Sequence, residues 1–197
     1  SDSYLFISDS VAGVDGNDLL IKLKGMNLDG FDLPTTTLNF DDLISDNRDN
    51  NPVPMGYGGL NWNGTDQIGV VSKTLLGLTD STSTSYSNGS NATNSDSKHS
   101  DSVAFNYWGD TTTIDSIGQG TFDFVSADWS SAWGDSQNLS FEGWLGDTEV
   151  YSSDTNPITT TASTITLNWK NIDKLVINGG GSQWLMDNFI YRSSATY

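Results

Sequence analysis

Short segments in which apolar and polar residues alternate recur along this chain at intervals of about ten to fifteen residues. Such alternation is typical of a β-strand that buries one face, and the Gly-, Asn- and Asp-rich clusters between the segments are typical of turns. In NLSFEGWL, the predicted inward residues are Leu139, Phe141 and Leu145, while Glu142 and Trp144 face the other way. The pattern predicts an all-β fold, a two-sheet antiparallel jelly-roll sandwich of about ten strands.

The pattern also divides the chain at Pro34. Residues 1–33 contain one strong strand segment, LLIKLK, between Gly- and Asp-rich turns, and they are predicted to form an N-terminal extension. Residues 34–197 are predicted to form the sandwich domain. Within that domain, residues 79–102 (TDSTSTSYSNGSNATNSDSKHSDS) predict a long polar loop, because they offer almost no apolar surface to offset the entropy of ordering.

The charge of the chain limits its partners. It has 25 acidic against 8 basic residues and a formal net charge of −17. Such a surface repels the phosphates of nucleic acids and the headgroups of anionic lipids. No segment approaches the roughly 20 apolar residues of a membrane-spanning helix. We therefore expect no nucleic-acid partner and no membrane span.

Four Asn-X-Ser/Thr sequons mark potential N-glycosylation sites, at Asn63, Asn88, Asn91 and Asn138. One or two would arise by chance in a chain so rich in Asn, Ser and Thr. Four sequons, together with a start at SDSYLF that looks like a processed protein, favour a secreted, extracellular glycoprotein. The chain has no cysteine, which excludes disulfides and thiolate metal sites.

The sequence offers little for catalysis. His99 is the only histidine and lies in the polar run, which argues against a His-rich metal site or a Ser–His–Asp triad. A glycosidase needs two carboxylates across a cleft. Glu142 could supply one of them, but no spacing marks its partner. We therefore predict that the chain is not an enzyme.

Two aromatic segments, SADWSSAWGDSQN and NYWGD, suggest a carbohydrate-binding site. Aromatic rings stack on the apolar faces of sugars while acidic and amide side chains bind the hydroxyls. The predicted binding residues are Trp129, Trp133, Asp128, Asp135 and Trp108. The alternative is that these tryptophans fill the sandwich core or a subunit contact.

Two acidic positions suggest a structural calcium ion. In WLMDNFIYR, simple alternation places Asp187 on the same face as Leu185 and Phe189, and a buried carboxylate needs a cation or several hydrogen-bond donors. Asp41 and Asp42 follow Phe40 near the start of the sandwich, and early and final strands are neighbours in a jelly roll. Carboxylate and carbonyl oxygens suit Ca²⁺. Alternatively, Asp187 accepts backbone N–H groups and FDD simply opens a loop.

The segments TLNFDDL, PMGYGGLNWNG, TFDFVSADW, NLSFEGWL and QWLMDNFIYR, taken in this order, carry a family resemblance over residues 35–192. They resemble secreted jelly-roll domains of bacterial surface proteins with PEP-CTERM sorting tails, although the tail itself is missing here. More distantly, they are similar to galactose-binding-like carbohydrate-binding modules. In those modules an acid after an early Phe and the Asp of the final strand commonly hold a structural Ca²⁺, which by resemblance implies Asp41 and Asp187.

Two functional hypotheses follow. The first is a non-catalytic extracellular structural glycoprotein, a subunit of a surface, matrix or self-assembling fibre whose partners are copies of itself. In that hypothesis the strand of residues 1–33 adds to a sheet edge of a neighbouring copy, although it could equally complete its own sandwich. The alternative is a lectin-like carbohydrate-binding module that uses exposed Trp and Asp/Asn loops to bind glycans.

Overall fold

The computed structural model describes residues 3–7, 19–23, 34–43, 51–62, 68–72, 102–118, 120–132 and 136–193. The chain separates into two compact units, Ser1–Pro34 and Thr35–Tyr197. No helix in these ranges is both long enough and apolar enough to span a membrane.

The N-terminal unit contains two strands, β1 (Ser3–Ile7) and β2 (Leu19–Leu23). They pair antiparallel, with Ser3 opposite Leu23 and Ile7 opposite Leu19. The sequence pattern predicted only β2. A single strand leaves the N–H and C=O groups along both of its edges without hydrogen-bond partners. In the described residues, β1 provides partners for one edge of β2.

The second unit is built almost entirely of strands. Its two described helices are single 3-10 turns, Asp41–Leu43 and Tyr57–Gly59. The strands are β3 (Thr36–Leu38), β4 (Asn51–Pro52), β5 (Leu60–Asn61), β6 (Ile68–Ser72), β7 (Ser102–Asn106), β8 (Thr112–Ser116), β9 (Phe122–Ser131), β10 (Gln137–Leu145), β11 (Thr148–Ser152), β12 (Asn156–Ile158), β13 (Ser163–Ile172), β14 (Lys174–Asn178) and β15 (Trp184–Ser193).

These strands form two antiparallel sheets. A six-stranded sheet has the order β11-β10-β14-β8-β5, with β12 also paired to β10. A seven-stranded sheet has the order β13-β9-β15-β7-β6-β4, with β3 also paired to β15. The predicted all-β, two-sheet antiparallel sandwich is therefore confirmed. The strands outnumber the predicted ten because several are only two or three residues long.

The main core is formed by apolar side chains of both sheets. Its largest fully buried members are Trp62, Trp129, Trp184, Phe40, Phe122, Phe124, Phe141 and Phe189. Burying a large apolar side chain contributes about 1.5–3 kcal/mol. These aromatic residues therefore compensate for a low overall hydrophobic content of 35%.

Alternation along β10 matches the prediction except at its end. Leu139 and Phe141 are buried in the core, whereas Leu145 is exposed. The pairing of β10 with β14 ends at Trp144 opposite Lys174. Leu145 therefore lies past the last residue of β10 that pairs with β14, next to the turn into β11. The prediction that Leu145 points inward is wrong for that reason.

Alternation along β15 is interrupted by a bulge. Asn188 has a left-handed backbone with φ of 48°, and the register with β9 shifts by one residue there. As a result, Met186 and Phe189 lie in the main core, whereas Leu185 belongs to a second buried cluster with Val71, Val103, Phe105 and Ala132. The prediction that Leu185 and Phe189 share a face is therefore wrong.

Candidate functional site

The loop that follows β7 presents an indole ring to solvent. Trp108 is 68% exposed, and the buried side chain of Asn106 holds the loop that carries it. Asn106 Oδ1 accepts the backbone N–H groups of Trp108 at 3.1 Å and Gly109 at 2.6 Å, and its Nδ2 donates to the backbone oxygen of Asp110 at 2.9 Å. An amide side chain bonded in this way replaces a turn's own backbone bonds. The loop is therefore preorganised.

A second loop, residues 179–183, packs against this one at the same end of the sandwich. Gln183 Nε2 donates to the backbone oxygen of Tyr107. Gly109 has φ of +73°, and a Cβ atom there would lie 2.7 Å from the backbone oxygen of Gly181, so only glycine allows this approach. The backbone N–H of Ala132 donates to the backbone oxygen of Gln183 at 3.1 Å. Three chain segments thus meet beside Trp108.

This end of the sandwich has the chemistry expected of a sugar site. The exposed indole offers an apolar face, and Asp110, which is also exposed, follows two residues later. A carboxylate accepts hydrogen bonds from hydroxyl groups, and an aromatic face stacks on the apolar face of a pyranose ring. The structure places Trp108 on the surface, where its ring is accessible to a ligand.

Trp129 has a different position from the one predicted. It is fully buried, and its ring packs edge-on against Phe141 at 5.2 Å and Trp184 at 5.1 Å between ring centres. A ring without exposed surface cannot stack on a sugar, so the prediction for Trp129 is corrected: it is a core residue. Trp133 and Asp135 lie outside the described residues.

Asp128 is also buried and serves a structural contact. Its Oδ1 accepts the hydroxyl of Thr164 at 2.5 Å, and its Oδ2 accepts the side-chain amide of Asn188 at 2.9 Å. These bonds tie together the neighbouring strands β13, β9 and β15. Both carboxylate oxygens accept hydrogen bonds within the sheet. The prediction that Asp128 binds sugar is therefore corrected: its side chain links neighbouring strands.

The two predicted calcium ligands lie near one junction, where β3 and β7 each meet β15. Asp187 is fully buried, and its Oδ1 accepts the backbone N–H of Asn188 at 2.7 Å. Asp41 is half-buried; its Oδ1 accepts the backbone N–H of Ser102 at 3.0 Å and its Oδ2 accepts the amide of Asn39 at 2.9 Å.

The backbone N–H of Asn188 is a donor of the kind that the hydrogen-bonding alternative predicted for Asp187. In the part of the chain that the structure describes, no group of three or more His, Asp or Glu side chains is arranged to hold a metal ion. Two carboxylates supply only part of the oxygen shell of Ca²⁺, and backbone carbonyls would have to complete it. Calcium at Asp41 and Asp187 stays a prediction.

The motifs FDDL and GYGGLNW form a packed corner of the sandwich. The Tyr57 hydroxyl donates to Asp42 Oδ1 at 2.7 Å, and Trp62 Nε1 donates to the backbone oxygen of Tyr57 at 2.8 Å. Burial, and then the hydrogen bond to Asp42, raise the pKa of Tyr57 far above its usual range. Phe40, with φ of 60°, packs edge-on against Trp62. Because the Tyr57 hydroxyl stays protonated, it acts as a hydrogen-bond donor that stabilises this corner.

Sequence reasoning missed a set of residues on the outer face of the six-stranded sheet. Trp144 is opposite Lys174, Lys174 is opposite Asp115, and Asp115 is opposite Asn61. We call these four residues the outer-face row. The alternation of NLSFEGWL already placed Trp144 outward, but the residues beside it come from three other strands, and only the sheet order reveals them.

Comparison with known proteins gives a distant similarity. No protein-family model and no curated protein sequence matches the chain, so the resemblance to PEP-CTERM-type surface proteins stays a prediction. Among solved structures, the chain is similar to the carbohydrate-binding module TmCBM61, solved in complex with β-1,4-galactotriose. The match has 9% identity and a TM-score of 0.29, and it covers 71% of this chain and 94% of that one. A similarity this distant identifies no ligand contact in the present chain.

Proposed function

We propose that this chain is a non-catalytic carbohydrate-binding β-sandwich module in which Trp108 is the main ligand contact. The observation that carries the proposal is an indole ring 68% exposed on a loop that the buried Asn106 holds in place. Binding to a preorganised loop loses little conformational entropy, so more of the stacking energy remains as affinity.

The charge of the molecule favours a neutral ligand. The formal net charge is −17, and the exposed Asp110 follows Trp108 by two residues in the same loop. Long-range repulsion disfavours sulfated or uronic-acid polysaccharides, whereas hydroxyl groups donate readily to carboxylates. The ligand class is therefore a neutral glycan.

We further propose an extracellular location and N-glycosylation. Asn138 is exposed at the start of β10, where a glycan has access to solvent. The sequons at Asn63, Asn88 and Asn91 lie outside the described residues. The intact mass of protein from its natural source tests this proposal, because each occupied sequon adds mass to the 21.3 kDa polypeptide.

The fibre-subunit hypothesis gains no specific support from the fold. It requires the strand of the N-terminal segment to pair with a neighbouring copy. In the described residues β2 pairs with β1 of its own unit. Self-association therefore stays a prediction and is tested by the truncation described below.

The test of carbohydrate binding uses an array of neutral glycans, followed by calorimetry with the best ligand. We expect the wild-type protein to bind and Trp108→Ala to weaken binding at least tenfold, since buried aromatic anchors are worth about 2 kcal/mol or more and 1.4 kcal/mol is tenfold. Trp108→Phe should retain part of the affinity. Val150→Ala, an exposed apolar residue on β11, is the matched control and should bind like the wild type. Absence of any ligand, or full binding by Trp108→Ala, would contradict the proposal.

A further inference from the structure

The outer-face row crosses four adjacent strands of the six-stranded sheet, from Trp144 on β10 through Lys174 and Asp115 to Asn61 on β5. Directly opposed residues of antiparallel strands point to the same side of the sheet. Because neighbouring strands lie about 4.8 Å apart, the row is roughly 14 Å long. It is therefore a continuous line of half-buried side chains, long enough for several linked pyranose rings.

Two contacts fix the indole at one end of the row. Trp144 Nε1 donates to Glu142 Oε2 at 2.9 Å, and Lys174 Nζ lies 4.6 Å from the centre of the Trp144 ring. The first contact sets the rotation of the ring, and the second is a cation–π interaction. Trp144 is thus an oriented aromatic side chain on the outer face of the sheet.

The middle of the row contains an unsatisfied acceptor. Asp115 Oδ1 is buried and accepts no hydrogen bond from the described part of the chain. Burial raises the pKa of the Asp115 carboxyl, the Lys174 ammonium lowers it, and the Asp173 carboxylate raises it further. A buried acceptor without a donor costs about 1–3 kcal/mol, and a ligand hydroxyl would remove that cost.

The other end of the row opens into an apolar cleft. The cleft has a volume of about 320 Å³ and is lined by Met55, Gly56, Asn61, Ser116, Ile117 and Gly118. Met55 is 70% exposed and Ile117 is 55% exposed. Asn61 belongs to both the row and the cleft, so the polar line and the apolar cleft form one continuous surface.

Within the described ranges, the seven-stranded sheet does not offer such a surface. The face of the seven-stranded sheet that points away from the main core carries the buried cluster of Val71, Val103, Phe105, Ala132 and Leu185. In the described residues, the polar and aromatic line with an adjoining cleft is a feature of the six-stranded sheet. This contrast distinguishes the outer-face row from the outer face of the other sheet.

We propose that the outer-face row binds a neutral polysaccharide chain that lies across the strands, with Trp144 under one sugar ring and the Met55–Ile117 cleft receiving the chain end. The inference shares its ligand class with the proposed function but uses none of the residues around Trp108. The ligand is neutral because Glu142, Asp115 and Asp173 surround the single ammonium of Lys174, so that a carboxylated or sulfated chain would meet net repulsion.

The experiment compares soluble β-1,4-galactan, galactomannan and xyloglucan by affinity electrophoresis, followed by calorimetry with oligosaccharides of increasing length from the best ligand. We expect Trp144→Ala to weaken binding of the long chains at least tenfold and to change binding of the shortest ligands little. Tyr151→Phe, at the edge of the same sheet, is the matched control and should not change the affinity.

Asp115→Ala should weaken binding about tenfold, since a hydrogen bond to a charged group is worth about 1.5–3 kcal/mol. Burial disfavours the charged form of the Asp115 carboxylate, so the protein should tolerate its removal. The Asp115→Ala variant should therefore fold even if the Trp144→Ala variant does not.

The outcomes separate this inference from the proposed function. Loss of binding in Trp144→Ala and Asp115→Ala, with Trp108→Ala unaffected, supports the outer-face row and overturns the Trp108 site. Loss in Trp108→Ala alone overturns the outer-face row and leaves the proposed function standing. Loss in both sets supports two contact surfaces, and failure of the wild-type protein to bind any of the polysaccharides overturns both.

Discussion

Trp108 and Trp129 both occur in segments rich in Asp, Asn and Ser, yet one is exposed and the other fully buried. Trp129 lies near the end of β9 on the core side, where its ring meets Trp184 and Phe141. Its Nε1 has no hydrogen-bond partner in the described structure. The packing of three large aromatic rings thus outweighs a cost of about 1–3 kcal/mol for an unsatisfied donor. The burial of each residue, rather than its neighbours in sequence, decides its role.

The calcium prediction belongs to the residue scale. Asp187 is directly opposite Asp128 in the β15–β9 ladder, and both carboxylates are buried. Opposed like charges destabilise a sheet unless a cation or enough donors compensate them. If Ca²⁺ binds Asp187 and Asp41, a chelator should lower the melting temperature by several degrees. A site at one hundred times its Kd contributes about 2.7 kcal/mol, and 1 kcal/mol shifts Tm by about 2–4 °C for a domain of this size.

The measurement is a thermal unfolding curve with and without chelator. Asp187→Asn should abolish the chelator effect, whereas the control Asp147→Asn, in the exposed turn after β10, should keep it. A wild-type melting curve that does not respond to chelator would show that the hydrogen bonds from Asn188 and its neighbours are sufficient without a metal.

At the scale of single elements, β-bulges shape the edge of the seven-stranded sheet. Asn168 and Asn171 of β13 have φ of 53° and 55°, and the register with β9 shifts beside each of them. Asn adopts left-handed backbone conformations more readily than other residues with a Cβ atom, which suits it to the extra position of a bulge. Bulges on an edge strand also hinder pairing with another chain.

The positive φ at the Asn168 bulge predicts how substitutions there change the free energy of unfolding. Asn168→Gly should leave the free energy of unfolding unchanged or slightly improved, because glycine adopts a positive φ without strain. Asn168→Val should cost about 1–2 kcal/mol, since a β-branched side chain is strained in that conformation. Thr166→Val, on the exposed side of the same strand, is the control and should be tolerated. Chemical denaturation measures all three, and equal stability of the Gly and Val variants would show that the bulge is not required.

At the scale of the whole molecule, the chain consists of two compact units that divide after Pro34. Units of this kind usually keep their own core and fold independently. We predict that deleting residues 1–34 leaves residues 35–197 folded, with an unchanged melting temperature and unchanged glycan binding. If the N-terminal segment mediates self-association, analytical ultracentrifugation should find assemblies with the full-length protein and monomers with the truncated one.

Two results would contradict these expectations. A truncated protein that does not fold would mean that the sandwich needs the N-terminal unit. A full-length protein that sediments as a monomer at high concentration would end the fibre hypothesis, and carbohydrate binding would then be the remaining function.

The all-β fold class is the feature that the sequence pattern predicts correctly. Alternation of apolar and polar residues indicates which face of a regular strand is buried, because each strand places successive side chains on opposite faces. It also reported the outward direction of Trp144. Strand formation and the direction of each side chain depend on neighbouring residues, so they can be predicted from a single sequence.

Which residues share a surface depends on long-range strand pairing, which the sequence pattern does not show. The bulge at Asn188 reversed the alternation of β15, so Leu185 and Phe189 separate although simple alternation places them together. The outer-face row joins Trp144 to Asn61 across strands that are far apart in sequence. Sheet order and bulges arise from long-range pairing and from a single residue's backbone conformation, and neither leaves a periodic signal in the sequence. The fold class could therefore be predicted from the sequence, whereas the makeup of the binding surfaces could not.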